Sequence, residues 1–140
     1  MSGGPIERTE LCVVGAHLSG FPLSHQLVDR DGALEALTAT APTYRLHRLP
    51  PVGDVERPAL ERVEHGGAAI EVEVWSLPLD RLGEIVVAVA PPLAIGTVAL
   101  IDGRSVTGFV CELGGLAGAE DITSFGGWRA WWAATRGPAT

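Results

Sequence analysis

The segment VVGAHLSGFPLSHQL, residues 13–27, sets His17 inside a turn-forming run bounded by Gly15 and Gly20. Histidine is the side chain that exchanges a proton near neutral pH. A glycine at position 15 lets the backbone turn, so that the N–H groups of Ala16, His17 and Leu18 can converge on an anion. Proton transfer beside a held anion is the chemistry such a loop offers. On the residue pattern alone, a loop histidine that caps a backbone carbonyl is the simpler reading. His25 shares the loop and is the second choice, whereas His47 and His65 read as surface residues.

Two further stretches carry polar chemistry. In APTYRLHRLP, Tyr44 supplies a hydroxyl and Arg45 a planar fork that suits a carboxylate. In a regular strand they face opposite ways, so both reach one pocket only at a strand end or bulge. A strand arginine lying along the surface toward solvent accounts for Arg45 equally well. In EVEVW, Glu71 and Glu73 share a face with Trp75. Solvated alternation is the ordinary explanation, and Glu73 is kept as a substrate-contacting candidate. Asp121 could cap the helix that follows or orient His17, and capping by Asp121, Thr123 or Ser124 is the expected role.

The elements that must position these residues are short. LCVV (11–14) reads as a buried strand and TYRLHRLP (43–50) as a second, closed by Pro50-Pro51. HQLVDRDGALEAL is ambiguous: Leu34 and Leu37 have helical spacing, but DRDG is turn chemistry. PVGDVERP reads as a loop. GAAIEVEVWSLP (67–78) is the clearest strand, with Ile70, Val72 and Val74 on one face. LDRLGEIVVAV spaces Leu79, Leu82, Ile85, Val86 and Val89 as a helix ended by Pro91-Pro92. TVALIDGRSVTGFVCE reads as a hairpin around Asp102-Gly103. Trp128, Trp131 and Trp132 form a helical stripe that reads as core, with a stop at Gly137-Pro138. Strands dominate without βαβ alternation, which predicts an α+β fold with a mostly antiparallel, barrel-like sheet.

A chain of 140 residues predicts one domain, here 11–136, with tails at 1–10 and 137–140. The net charge of −7 argues against binding a nucleic-acid backbone. No apolar run approaches a membrane span and no signal peptide is visible, so a cytoplasmic setting is expected. All ten basic residues are arginine, which excludes Schiff-base, P-loop and Ser-Lys chemistry. Cys12 and Cys111 read as buried thiols, and the scattered histidines give no metal-ligand spacing.

Taken together and in order, VGAHLSGFPL, APTYRLHRLP, GGAAIEVEVWSLP and GAEDITSFGGWRAWW resemble the C-terminal domain of allophanate hydrolase. IGTVALIDGRSVTGFVCE fits between them, so the resemblance runs from residue 11 to about 132. It implies a γ-glutamyl cyclotransferase-like fold, a small mixed barrel with a substrate loop after the first strand. In the full enzyme an amidase domain produces N-carboxycarbamate, and the C-terminal domain decarboxylates it to carbamate. The expectation here is a free-standing version in urea and allophanate nitrogen metabolism, acting without a cofactor on a small carboxylate. A separate amidase subunit and a second copy of the chain are the protein partners left open.

Under that resemblance His17 becomes the proton donor, with Tyr44 beside it as the second catalytic candidate. Gly15, Ala16, Leu18, Arg45 and Glu73 become the substrate-binding set. The chain departs from its relatives in three places. VAVAPPLAIG holds no carboxylate where a cyclotransferase expects its glutamate base, although Glu84 lies slightly earlier. Ser24 stands where asparagine is common, and Thr107 where lysine is common. The alternatives are a non-catalytic anion-binding or amidase-partner module and a cyclotransferase-type enzyme.

Overall fold

In the computed structural model, which describes residues 7–136, the strand β5 (Glu71–Pro78) is covered on both faces. It pairs antiparallel with β1 (Arg8–Val13) on one side and β2 (Ala33–Ala39) on the other. Every residue of β5 from Val72 to Pro78 is buried, on both faces of the sheet. Glu73 and Trp75 are therefore 2% and 5% exposed, and the solvated alternation expected for them does not occur. Val72 and Val74 fill the opposite face as their spacing predicts.

The full sheet runs β2-β5-β1-β7-β6, with β6 (Leu93–Ala99) and β7 (Ser105–Cys111) forming the expected hairpin. Gly103 takes a φ of 93° in its turn, and Asp102 Oδ1 accepts the Arg104 N–H at 2.9 Å. The β1–β7 pair is parallel and every other pair is antiparallel. A second sheet, β4-β3-β8, consists of β3 (Tyr44–Val52), β4 (Val55–Arg62) and the short β8 (Glu120–Asp121). Three short helices complete the α+β fold: α1 (His25–Val28), α2 (Leu79–Ala88) and α3 (Trp128–Arg136).

Several expectations change. The strands pair as two sheets and no closed barrel is detected among the described residues; the outer strands of the larger sheet meet at the bridge Thr40–Leu100, where the Ala41 N–H donates to Ala99 O and the Ile101 N–H to Ala39 O. β1 begins at Arg8, inside the stretch expected as a tail, while residues 1–6 and the predicted 137–140 tail lie outside the described residues. Residues 33–39 are an edge strand despite the helical Leu34/Leu37 spacing. Pairing with β5 overrides the spacing, and a register shift between Leu34 and Ala36 leaves both leucines exposed. PVGDVERP is a hairpin, since Gly53 at φ 61° lets Val52 pair with Val55 and strand β3 continues through Pro50-Pro51.

Both predicted helices form. Ile85 of α2 enters the core, and Asp80 lies in its first turn, where the helix dipole favours negative charge. Trp128 and Trp131 of α3 are 1% and 3% exposed, as the core reading of the stripe requires. No helix among the described residues is long and apolar enough to cross a membrane.

The two sheets touch where β1 ends. A Cβ on Gly15 would lie 2.3 Å from Pro58 Cγ on β4. Glycine is required there for close approach and not for a left-handed turn, because Gly15 is not among the positive-φ residues. Gly15→Ala is expected to cost about 1–3 kcal/mol through overpacking. Thermal melts should show a loss of several degrees, part of which Gly15→Ala/Pro58→Ala recovers.

Candidate functional site

The chain leaves β1 through a run of tight turns that presents His17. The Leu18 N–H donates to Gly15 O at 2.9 Å, and the Leu23 N–H donates to Ala16 O at 2.8 Å. The half-buried His17 ring stacks on Phe109 of β7, with centroids 5.0 Å apart and planes 17° from parallel. Its Nε2 lies 2.8 Å from Gln26 Oε1 on α1. A ring nitrogen facing a carbonyl oxygen must carry the hydrogen, so the neutral ring keeps its lone pair on Nδ1. Burial lowers the His17 pKa from its ordinary 6.5, the Gln26 hydrogen bond opposes this, and nearby His25 lowers it further. The resting ring is neutral at pH 7.

His17 opens onto a cavity of about 240 Å³ between the two sheets. Gly15, Ala16, His17 and Gln26 form one wall, Arg57 and Pro58 of β4 another, and Phe109, Ile85 and Val89 an apolar remainder. No carboxylate lines it. The Arg57 Nη1 donates to Pro91 O at 3.2 Å, but its buried Nε–H has no acceptor among the described residues. The backbone N–H groups of Ala16 and His17 likewise have none. An unpartnered guanidinium N–H, two unpartnered amides and a histidine at an apolar wall can hold a small anion and exchange a proton with it.

The remaining predicted residues lie elsewhere. Leu18 is fully buried in the core and its N–H is spent on Gly15 O, so it leaves the anion-holding set. Tyr44 is 1% exposed and faces a different groove, alongside Arg62, Thr97 and Cys111. Its hydroxyl accepts from Arg62 Nη2 at 3.1 Å and from the Ala99 N–H at 2.9 Å. Arg45 alternates to the other side of β3. Its Nε donates to Asp121 Oδ2 at 2.8 Å and its Nη1 to Gly66 O. The expected conflict between Tyr44 and Arg45 ends with neither beside His17.

Glu73 does not line the cavity. It accepts from the Ser19 N–H at 2.8 Å, Ser19 Oγ at 2.7 Å, Trp75 Nε1 at 3.0 Å and Arg129 Nη2 at 2.7 Å. Burial pushes its pKa up, but these donors outweigh burial and hold it below the usual carboxylate range. Burial also acts upward on Asp121, yet Arg45 and Thr123 bring it down to about 2. Its Oδ1 accepts the Thr123 N–H, the capping role expected of it.

His25 caps the Pro22 carbonyl, while His47, expected at the surface, is 8% exposed against Glu61. Burial drives the Cys12 thiol to about 12, whereas Cys111 is only half-buried. Ser24 and Thr107, the two departures from the family pattern, do not line the His17 cavity. Neither does Glu84, which lies exposed against Arg30 and Arg81.

The cavity-lining residues without a signal of their own in the sequence analysis are Arg57, Gln26 and Phe109. The clue to Arg57 was Gly53-Asp54 between two valines. Read as a hairpin, it brings ERP back alongside β3.

The family model of the allophanate hydrolase C-terminal domain matches residues 9–133. The chain belongs to this family. It is similar to urea amidolyase of Saccharomyces cerevisiae, 41% identical over 130 residues that make up 91% of this chain and 7% of the relative. The allophanate hydrolase of Kluyveromyces lactis superposes with a TM-score of 0.88 at 41% identity, over 92% of this chain and 22% of that one. A uropathogenic E. coli-specific protein, c4763, matches with a TM-score of 0.82 at 30% identity, over 91% of this chain and 98% of that one. A γ-glutamyl cyclotransferase at 12% identity and a TM-score of 0.54 shares the fold. The chain spans 7% of the length of the curated urea amidolyases it matches. Its membership of a urea and allophanate family agrees with the ordered motifs.

Because the folded His17 pKa lies below 6.5, the unfolded chain binds more protons as pH falls through that value. The stability due to neutral, buried His17 is complete above 6.5 and is lost as pH drops through the folded pKa. Between pH 7 and 5, denaturant titrations should show wild type losing stability faster than His17→Gln. The difference in slope is at most about 1.4 kcal/mol per pH unit. Parallel pH profiles would contradict this account of His17.

Proposed function

We propose that the His17 cavity binds a small dicarboxylated, urea-derived acid and that this chain decarboxylates N-carboxycarbamate to carbamate in the cytoplasm. The observation that carries the proposal is Arg57, which lines a cavity that no carboxylate lines and whose buried Nε–H has no acceptor among the described residues. Membership of the allophanate hydrolase C-terminal family supports a urea-derived substrate.

In this mechanism Arg57 takes one carboxylate, and the Ala16 and His17 N–H groups take the other. The bound dianion favours the imidazolium, so His17 gains a proton on binding. The C–N bond to the departing carboxylate then breaks, its electron pair stays on nitrogen, and carbon dioxide leaves. His17 delivers its proton to that nitrogen, giving carbamate. The balance is one proton and one N-carboxycarbamate dianion in, one carbamate and one carbon dioxide out. Phe109, Ile85 and Val89 keep water from the departing carboxylate. Gln26 holds the ring in place.

A second reading is a non-catalytic anion-binding or amidase-partner module. It is favoured by the chain matching only 7% of the length of the urea amidolyases. A cyclotransferase has less support, since Ile85, Ala88 and Val89 line the cavity and no carboxylate does.

Malonate has nearly the shape and charge of N-carboxycarbamate. It should raise the melting temperature of the wild type, and both His17→Ala and Arg57→Ala should abolish the shift. Calorimetry should show wild-type affinity for malonate rising up to about tenfold per unit as pH falls from 8 to 6, because binding takes up one proton. His17→Ala should be flat. Carbon dioxide release from N-carboxycarbamate, generated by an added amidase, should accelerate with this chain present. Malonate binding without that acceleration selects the second reading, and no malonate binding at millimolar concentration sinks both.

A further inference from the structure

We propose that Glu73 and Arg129 are positioning residues that grip the loop two residues beyond His17 and so fix the anion-holding segment Gly15–His17. The inference rests on the reading of the cavity given above. Ser19 is held at three atoms. Its N–H and Oγ donate to the two oxygens of Glu73, at 2.8 and 2.7 Å, and its carbonyl accepts from Arg129 Nη2 at 2.7 Å. The same Nη2 reaches Glu73 Oε2 at 2.7 Å, which closes the triangle.

Neither Glu73, Arg129 nor Ser19 lines the cavity. A buried ion pair is an inefficient way to gain stability, because desolvation cancels much of the attraction. Its gain is geometric: four donors fix one carboxylate, and through it one peptide unit. That peptide follows Leu18, whose N–H closes the turn back to Gly15.

The grip is anchored at both ends. Glu73 lies on the central strand β5 and is 2% exposed. Arg129 leaves α3 between two core positions, the nearly inaccessible Trp128 and Trp131. Its guanidinium also lies 5.1 Å from the Phe21 ring, and Phe21 meets Trp132 edge-on at 5.4 Å. The loop is thus pinned by α3 at residues 19 and 21, while the amides at 16 and 17 face the ligand. Displacing such donors by an ångström is enough to lose their interaction with a bound anion.

The test uses Arg129→Met, Arg129→Lys and Arg136→Met, with two readouts: malonate affinity by calorimetry and the His17 ring pKa by NMR. Arg136 is the control, because it sits on the same helix and lies over the Trp132 ring but pairs with Glu56 and touches neither Ser19 nor Glu73. Arg129→Met should weaken malonate at least tenfold and move the His17 pKa up toward 6.5 as the loop loosens. Arg129→Lys should restore part of both, and Arg136→Met should leave both at wild-type values whatever it does to the melting temperature. Should Arg129→Met not fold, Ser19→Ala, which removes only the Oγ contacts, carries the test with the same two readouts and direction.

A folded Arg129→Met protein, or Ser19→Ala in its place, with wild-type His17 pKa and wild-type malonate affinity overturns the proposal. So does an Arg136→Met protein that reproduces the Arg129→Met changes. If wild type itself does not bind malonate, the cavity reading fails alone. The His17 titration then still decides whether the grip positions the loop.

Discussion

A carboxylate on a strand covered from both sides must be matched by donors, and Glu73 draws its donors from far along the chain. Ser19 comes from the loop after β1, Trp75 from the same strand, and Arg129 from the last helix. Much of the architecture follows from meeting that demand. The loop must pass over β5 at Ser19, which places His17 against Phe109 on β7. The last helix must lie where Arg129 reaches the sheet, which is where Trp128 and Trp131 find the core. A single buried charge thereby ties the fold to the loop that faces the cavity.

The cavity has the opposite electrostatic character. The chain carries a net charge of −7, yet no acidic side chain lines this space. Among the described residues, arginines 30, 45, 48, 81, 104, 129 and 136 are engaged by carboxylates. Arg57 is engaged by none, and it is the arginine that lines the cavity. Surrounding acidity and a cationic interior are compatible because the field at a half-enclosed site is set by the nearest groups. A neutral resting histidine fits the same logic, since a second permanent charge against the apolar wall would raise the desolvation cost.

What the sequence disclosed was local. β5, the Asp102-Gly103 hairpin, α2 and the tryptophan helix announce themselves through periodicity and turn residues within a dozen positions. So does the capping by Asp121. The loop histidine stands out the same way, and the ordered motifs make it a site candidate. What stayed hidden depended on partners distant in the chain. The helical spacing of Leu34 and Leu37 lost to ladder pairing with β5, and Glu73 seemed solvated because nothing local says that β5 is central. Arg57 carries no local signal of its own, because PVGDVERP has the composition of a loop although it pairs as a hairpin. Tyr44 and Arg45 face opposite sides of β3, as alternation in a regular strand requires, and no bulge brings both to one pocket. Adjacency in sequence predicted proximity only where the backbone was turning.

The contact between Ser19 and Arg129 spans 110 residues. During synthesis β1 and its loop emerge well before the arginine that pins them. A nascent chain can pair β1 with β5 and already own every residue that lines the cavity, yet its loop remains unpinned until α3 has left the ribosome. Formation of the cavity and completion of its geometry are thus separate events in the life of the molecule, divided by the time needed to make α3.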